Sequence, residues 1–404
     1  MATQVQRRRG TTAQHAAFSG QLAELTVDTD KLTVVVQDGA TLGGHPLAKF
    51  SDLTATNTSI VDAGANFVST NVEGALAELA AVPTGLAYFT EARSVVAPNN
   101  IIPAHSVIAS GAEVDIDAVF APKGAGAITT AIPDSLAAGG NKRGANAVDL
   151  QMLRSAAADV ASGDYSTLIG GFWNEASGNY SVSIGGAGNV TSSSYGITVG
   201  GDTNNNTATY GGMFGAFQST LSGLYGAIVG GAGASITGAY SASVGGRYGS
   251  DRGLENKLVF GGGQLAVNEL AQVGTQILRV STTDAIPKIM YATGVGLLDA
   301  LNHAVLPDGC VYAIKATVVA REPATNDCKV WELKGVVKRG VGVATTALVG
   351  SVTSTVIAAD AGAAAWTATL AADAVTYGSA QVTVTGEAAH TIYWNCSFET
   401  VELG

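Results

Sequence analysis

Apolar and polar positions recur with a period of fifteen through the middle of this chain. Tyr165, Tyr180, Tyr195, Tyr210, Tyr225 and Tyr240 stand fifteen residues apart, with no insertion. Four residues after each tyrosine comes an apolar residue and then a glycine: Ile169-Gly170, Ile184-Gly185, Val199-Gly200, Phe214-Gly215, Val229-Gly230 and Val244-Gly245. A second glycine follows in five of the six copies, Ala216 being the exception. Tyrosine, the second residue after it and the apolar residue alternate with period two, the pattern of a strand whose side chains share a face. A further column, nine after tyrosine, holds Asn174, Asn189 and Asn204, then Ser219 and Ala234; hydroxyls stand twelve after it, from Ser177 to Thr237. So strict a short period predicts a solenoid in which each repeat buries its apolar face against its neighbours. Fifteen residues are too few for a strand and a helix of ordinary length. They fit two short strands and two corners, a flattened β-roll whose paired glycines and asparagines supply positive φ. Val259-Phe260-Gly261-Gly262 reads as a seventh coil, one residue out of register, so the roll is expected over 162–263. The six tyrosines are read as stacking residues, with a sugar-binding aromatic stripe as the alternative.

The flanks follow other patterns. Residues 1–50 predict a β-module: Glu24 to Gln37 reads as strand, turn at Asp28-Thr29-Asp30, and strand, with a second turn at Asp38-Gly39. A lone hairpin is marginal, so this module needs partners. In 51–83, a linker leads to a helix over 69–81, capped by Asn71, with Val72, Leu76 and Leu79 on one stripe. So short a helix is expected to associate with identical copies. Residues 84–147 read as a β-rich connector, with alternation from Ala112 to Phe120. Residues 148–161 read as a capping helix, with Leu150, Leu153 and Val160 roughly on one side. After a connector at 264–310, residues 311–404 predict a β-sandwich, the candidate receptor-binding domain. There Tyr312, Ile314, Ala316 and Val318 alternate with polar neighbours, as do Ile392, Trp394, Cys396 and Phe398. Trp331, Trp366 and Trp394 are read as its core rather than as a ligand box.

Composition sharpens this picture. Charged residues make up 13% of the 404, and between Ala161 and Ser250 they are only Asp164, Glu175, Asp202 and Arg247. A surface so poor in charge argues that identical copies cover much of it. The net charge of −11 argues against a nucleic-acid backbone as partner. Arg7-Arg8-Arg9 is the basic exception, and reads as a solvated end or a protein-docking spot. Cys310, Cys328 and Cys396 show no zinc spacing and no disulfide framework, and Cys396 reads as a small buried hydrophobe. The five histidines form no ligand pattern. No apolar stretch follows the basic N-terminus, and Gly340 to Ala359 is too polar to span a bilayer. Synthesis in a cytoplasm is expected, with no cofactor, no metal and no membrane span.

Several stretches carry a family resemblance. RRGTTAQHAAF, ELTVDTDK and VVVQDGAT, between Gln6 and Lys49, resemble the N-terminal module of bacteriophage tail fibres and phage hyaluronate lyases. NVEGALAEL (Asn71 to Leu79) and NKRGANAVDLQ (Asn141 to Gln151) are similar to segments of phage fibres, and the repeats resemble the β-roll head of trimeric autotransporter adhesins. The resemblance implies a mainly β, elongated homotrimer of a virion. Its N-terminal module would bind a tail or capsid protein through Arg7, Arg8, Arg9, Thr11, His15 and Phe18. Its distal part would meet a host-surface glycan or protein.

Four functions compete. A tail fibre that binds a host receptor leads, and a head fibre or capsid decoration protein follows. A polysaccharide depolymerase ranks lower, because glycoside cleavage usually needs two carboxylates about 5–10 Å apart and the roll's acids sit in different columns. A bacterial adhesin lacks its signal and anchor. No catalytic residue is expected.

Overall fold

The computed structural model describes residues 7–49, 54–56, 58–61, 67–81, 89–94, 104–109, 120–263, 271–293 and 302–404. They fall into two compact units, divided between Val119 and Phe120.

The first unit opens with a four-stranded sheet in the order β1 (Arg9–Gly10), β2 (Leu25–Asp28), β3 (Thr33–Val36), β4 (His45–Pro46). The hairpin of β2 and β3 pairs Leu25 with Val36 and Asp28 with Thr33, and β1 joins β2 in parallel. Between β1 and β2 lies the short helix α1 (Thr12–Ala16). The hairpin turn is held by Asp28, whose carboxylate accepts from the Asp30 and Lys31 amides and from the Thr12 hydroxyl. Helix α2 (Val72–Ala81) forms where the sequence places one, with Asn71 Oδ1 accepting from Gly74 N at 2.7 Å. Its Leu76 and Leu79 stay exposed. A hairpin of β5 (Phe89–Ser94) and β6 (Ala104–Ala109) follows. The alternation expected from Ala112 to Phe120 lies, but for Phe120, outside the described residues.

The second unit is a β-solenoid that runs into a β-sandwich. One wall of the solenoid is built from β7 (Ile128–Thr129), β8 (Val148–Leu150), β9 (Thr167–Ile169), β11 (Val182–Ile184), β13 (Ile197–Val199), β15 (Gly212–Phe214), β17 (Ala227–Val229), β19 (Ala242–Arg247) and β20 (Lys257–Gly262), all parallel. A second wall holds β10 (Glu175–Ala176), β12 (Val190–Thr191), β14 (Asn205–Asn206), β16 (Thr220–Leu221) and β18 (Ser235–Ile236). The five coils opened by β9, β11, β13, β15 and β17 thus have the two short strands that their length predicts, plus single bridges between residues such as Phe172 and Ala187 on a third side. Leu258 lies opposite Ala242, sixteen residues on, which is the slip the seventh coil shows in the sequence.

The capping helix expected at 148–161 is absent. Val148–Leu150 is instead a strand, in register with Thr167–Ile169. Its central residue Asp149 points inward and binds Arg143 Nε at 2.7 Å and Arg154 Nη2 at 3.2 Å. A carboxylate held inside by two guanidiniums fixes an extended chain, and the leucine spacing that imitates a helical stripe yields to it. Ile128–Thr129, paired in parallel with Val148 and Asp149, also brings the solenoid's start forward into the expected connector.

The sandwich likewise begins earlier than the sequence indicates, at β21 (Ala271–Thr282), with β22 (Lys288–Ile289) and β23 (Ala304–Val305). Gln272 and Gln276 of β21 face inward and are buried, so polar residues hide its alternation. Strand β21 pairs antiparallel with β20 on one side and with β30 (Ile392–Leu403) on the other, followed by β24 (Val311–Arg321) and β25 (Cys328–Lys338). β26 (Ala347–Leu348) and β27 (Thr353–Ala359) edge β25, completing one sheet of fifteen strands shared by solenoid and sandwich. The facing sheet is β22, β23, β28 (Thr367–Asp373) and β29 (Ser379–Thr385). Trp331, Trp366 and Trp394 are buried between the two, with the Trp331 and Trp394 rings 5.6 Å apart. Cys396 is buried with them, and burial pushes its thiol up to about 12. At the junction of solenoid and sandwich, Glu402 meets Lys257 Nζ at 2.7 Å and Arg252 Nε at 3.2 Å. Burial works against its charge, but Lys257 and Arg252 hold its carboxyl below the ordinary range.

Candidate functional site

The N-terminal module carries a groove of about 280 Å³ lined by Arg8, Arg9, Gly10, Gln14, His15, Phe18 and Thr26. Of the six residues singled out in the sequence, four meet here. The Arg8 guanidinium lies 5.0 Å from the centre of the Phe18 ring and its Nε is 3.4 Å from Glu24. Cation and ring together make a surface that is apolar below and charged at the rim. Arg9 is exposed. His15 is buried, with Nε2 3.0 Å from Thr26 Oγ1 and Nδ1 3.1 Å from the Thr11 carbonyl, so both ring nitrogens are engaged. The other two residues lie apart from the lining. Thr11 caps α1: its hydroxyl accepts from Gln14 N, and Gln14 Oε1 accepts from Thr11 N in return. Arg7 is exposed where the described chain begins. Gln14 and Thr26 were not singled out in the sequence; their only signal is the capping box Thr-x-x-Gln and the inward phase of β2.

The tyrosine rings stack down the solenoid with centres 4.9–5.3 Å apart and planes within 12° of parallel. Each tyrosine sits at φ between +56° and +60°, a left-handed conformation that bulky residues seldom adopt. Between neighbouring coils the rings cover one another's faces, and each tyrosine stays 45–57% exposed.

The interior belongs to other columns. Three after tyrosine, Leu168, Ser183, Thr198, Met213, Ile228 and Ser243 point inward and are buried. Opposite them runs a polar ladder. Gln151 Oε1 accepts from Asn174 N, Asn174 Oδ1 from Asn189 N at 2.9 Å, Asn189 Oδ1 from Asn204 Nδ2 at 2.9 Å, and Asn204 Oδ1 from Ser219 N at 3.0 Å. The column four after tyrosine, which the sequence presents as the coil's buried apolar face, instead points outward. Ile169, Ile184, Phe214, Val229 and Val244 are each 38–47% exposed. The inward places are taken by the position before it, because neighbouring strand residues face opposite ways.

Three acids of the roll stay apart. Asp164 accepts from Ala145 N at 2.8 Å, Asp202 from the Thr203 hydroxyl at 2.6 Å, and Glu175 lies on the second wall. Among the described residues, no three His, Cys, Asp or Glu side chains are grouped to hold a metal ion, and no helix is long and apolar enough to cross a membrane.

Residues 5–41 match the family described as the major tropism determinant N-terminal domain. A tail fiber receptor-binding protein of Bordetella phage BPP-1 is 66% identical over 56 residues, which is 14% of this chain and 14% of that protein. Among solved structures, the Major Tropism Determinant U1 variant is 62% identical over 14% of this chain and 15% of its own, with a TM-score of 0.13. A tailspike protein gp49 from Acinetobacter baumannii bacteriophage Fri1, a capsular polysaccharide depolymerase, is 10% identical, with 64% of this chain and 48% of that one covered and a TM-score of 0.19. The chain therefore spans about a seventh of the length of the curated relative it matches. The family match falls on the module that carries the groove, and the solenoid and sandwich lie outside it.

Proposed function

We propose that this chain is a tail fibre of a phage virion that attaches the particle to a receptor on the host surface. The observation that carries this reading is the N-terminal match: 66% identity over 56 residues to a tail fiber receptor-binding protein. Residues 1–50 dock on the particle, with Arg7, Arg8, Arg9 and Phe18 presented to the partner and Thr11 and His15 holding their frame. Residues 51–83 and the solenoid bring identical chains together as a homotrimer. Residues 311–404, with the earlier strands that complete the sandwich, face a host glycan or protein. Recognition proceeds without bond cleavage, since the roll's acids occupy separate columns. Repeated weak contacts from three chains suffice for attachment through avidity.

The test has two arms. Purified full-length protein should bind host cells and block phage adsorption, and labelled protein should locate at the tail by microscopy. Label on the capsid would replace this reading by a head fibre or decoration protein. Release of reducing ends or unsaturated sugars from host polysaccharide would replace it by a depolymerase.

A further inference from the structure

The outward apolar column of the solenoid does not stop at the solenoid. Ile169, Ile184, Val199, Phe214, Val229 and Val244 lie side by side in strict register. Past a register shift between Ser243 and Gly246, the fifteen-stranded sheet carries the line on: Phe260 lies opposite Val273, Val273 opposite Val401, and Val401 opposite Ala313. Phe260, Val273 and Val401 are 57%, 50% and 60% exposed. A second outward column, Thr167, Val182, Ile197, Gly212, Ala227, Ala242 and Leu258, widens the row where its larger members stand. In the sandwich that neighbouring column turns polar: Thr275 faces Glu399, and Glu399 faces Lys315.

We infer that further copies of this chain cover this row, parallel and in axial register, and that the sandwich face formed by β21, β30 and β24 belongs to the same interface. This inference rests on the fibre reading above and extends it. The row is a line of apolar side chains at strand spacing, about 4.8 Å per step, in a stretch with almost no charge. A partner must offer an apolar line of the same pitch and length, and an identical copy does so by construction. Ten strands give a single apolar row about 43 Å long. The charged column beside it supplies the polar rim that bounds an apolar interface core. A closed ring of parallel copies leaves no apolar row unpaired. The receptor is then met by the opposite sheet, whose outward face pairs Thr367 with Thr385, Thr369 with Thr383 and Ala371 with Gln381. That face offers threonine hydroxyls to a hydrated ligand, with Ile289 beside Thr383.

The experiment uses the full chain. Light scattering of the wild type should give three times the 40.5 kDa chain mass. Val273→Asp combined with Val401→Asp should weaken assembly at least tenfold, with far-UV circular dichroism unchanged because both side chains lie at the surface. Thr383→Asp should keep the mass and weaken cell binding at least tenfold. A milder probe guards against misfolding: a maleimide should label Val401→Cys at least tenfold more slowly than Thr383→Cys. Equal labelling rates, or aspartate variants that assemble as the wild type does, overturn the inference. Aspartate variants that stay trimeric but lose cell binding make the row the receptor face. A monomeric wild type removes the assembly altogether, whereas a trimer that binds neither virions nor cells leaves the interface standing and removes the fibre reading.

Discussion

Single residues set the solenoid's character through their columns. The asparagine at position nine after tyrosine links each coil to the next, as Asn189 Oδ1 accepts from both N and Nδ2 of Asn204 at 3.2 and 2.9 Å. Its own Nδ2 donates to the Gly200 and Gly201 carbonyls. Asn189→Ala would leave two donors and two carbonyls without that partner inside a closed coil. The cost of a buried polar group left unpaired is about 1–3 kcal/mol, and a loss of that size is expected in urea unfolding. Asn205→Ala, on the outward side of the neighbouring strand, should stay within about 0.5 kcal/mol. Glycine is required where coils come closest: Gly186 has φ +73°, and a Cβ there would lie 2.4 Å from the Gly201 carbonyl oxygen. These roles were legible in the sequence as columns. Which columns face inward was not, because the serines and threonines three after tyrosine look like surface residues. They are accommodated inside in the same phase as Leu168 and Ile228.

At the scale of elements, the sequence speaks clearly where the repeat is strict and misleads where a polar residue is buried. The strands over Val311–Arg321 and Ile392–Leu403 follow their apolar alternation directly, as Tyr312 and Trp394 are buried in the phase the pattern gives. Strands β8 and β21 break it because Asp149, Gln272 and Gln276 face inward, where sequence patterning expects apolar residues. The N-terminal groove was legible only as a short similar segment: neither charge nor spacing says that His15 and Thr26 come together beside Arg8. The buried Asp149 offers a direct test of β8. Asp149→Asn would leave the Arg143 and Arg154 guanidiniums without their counter-charge at the start of the stack. Breaking a buried ion pair on one side costs about 3–5 kcal/mol. Hydrogen exchange should therefore rise first in β8 and β9 and fall off toward β19, because a solenoid passes stability between neighbouring coils. Uniform exchange along the stack would mean that the cluster does not act as an end cap.

For the second unit as a whole, the question is whether the solenoid is a spacer or a binding surface, and coil deletion separates the two. Removing residues 180–194 joins Asn179 to Tyr195 and leaves every column in phase: tyrosine on tyrosine, Asn174 beneath Asn204, Ile169 beside Val199. The stack shortens by one strand spacing, about 4.8 Å, and copies that shorten alike would keep the inferred interface in register. A melting temperature within a few degrees of the wild type and undiminished adsorption blocking are the expected results. Removing residues 180–201 should behave differently. Twenty-two residues are one coil plus seven, so strand residues would fall on corners and the asparagine ladder would meet the wrong column. That variant should lose its cooperative melt. If in-phase deletion of one coil, and then of two, lowers adsorption blocking in proportion to the tyrosines removed, the exposed edges of the ladder touch the receptor. Unchanged blocking across both deletions places recognition beyond the solenoid, on the sandwich that its continuous sheet holds in place.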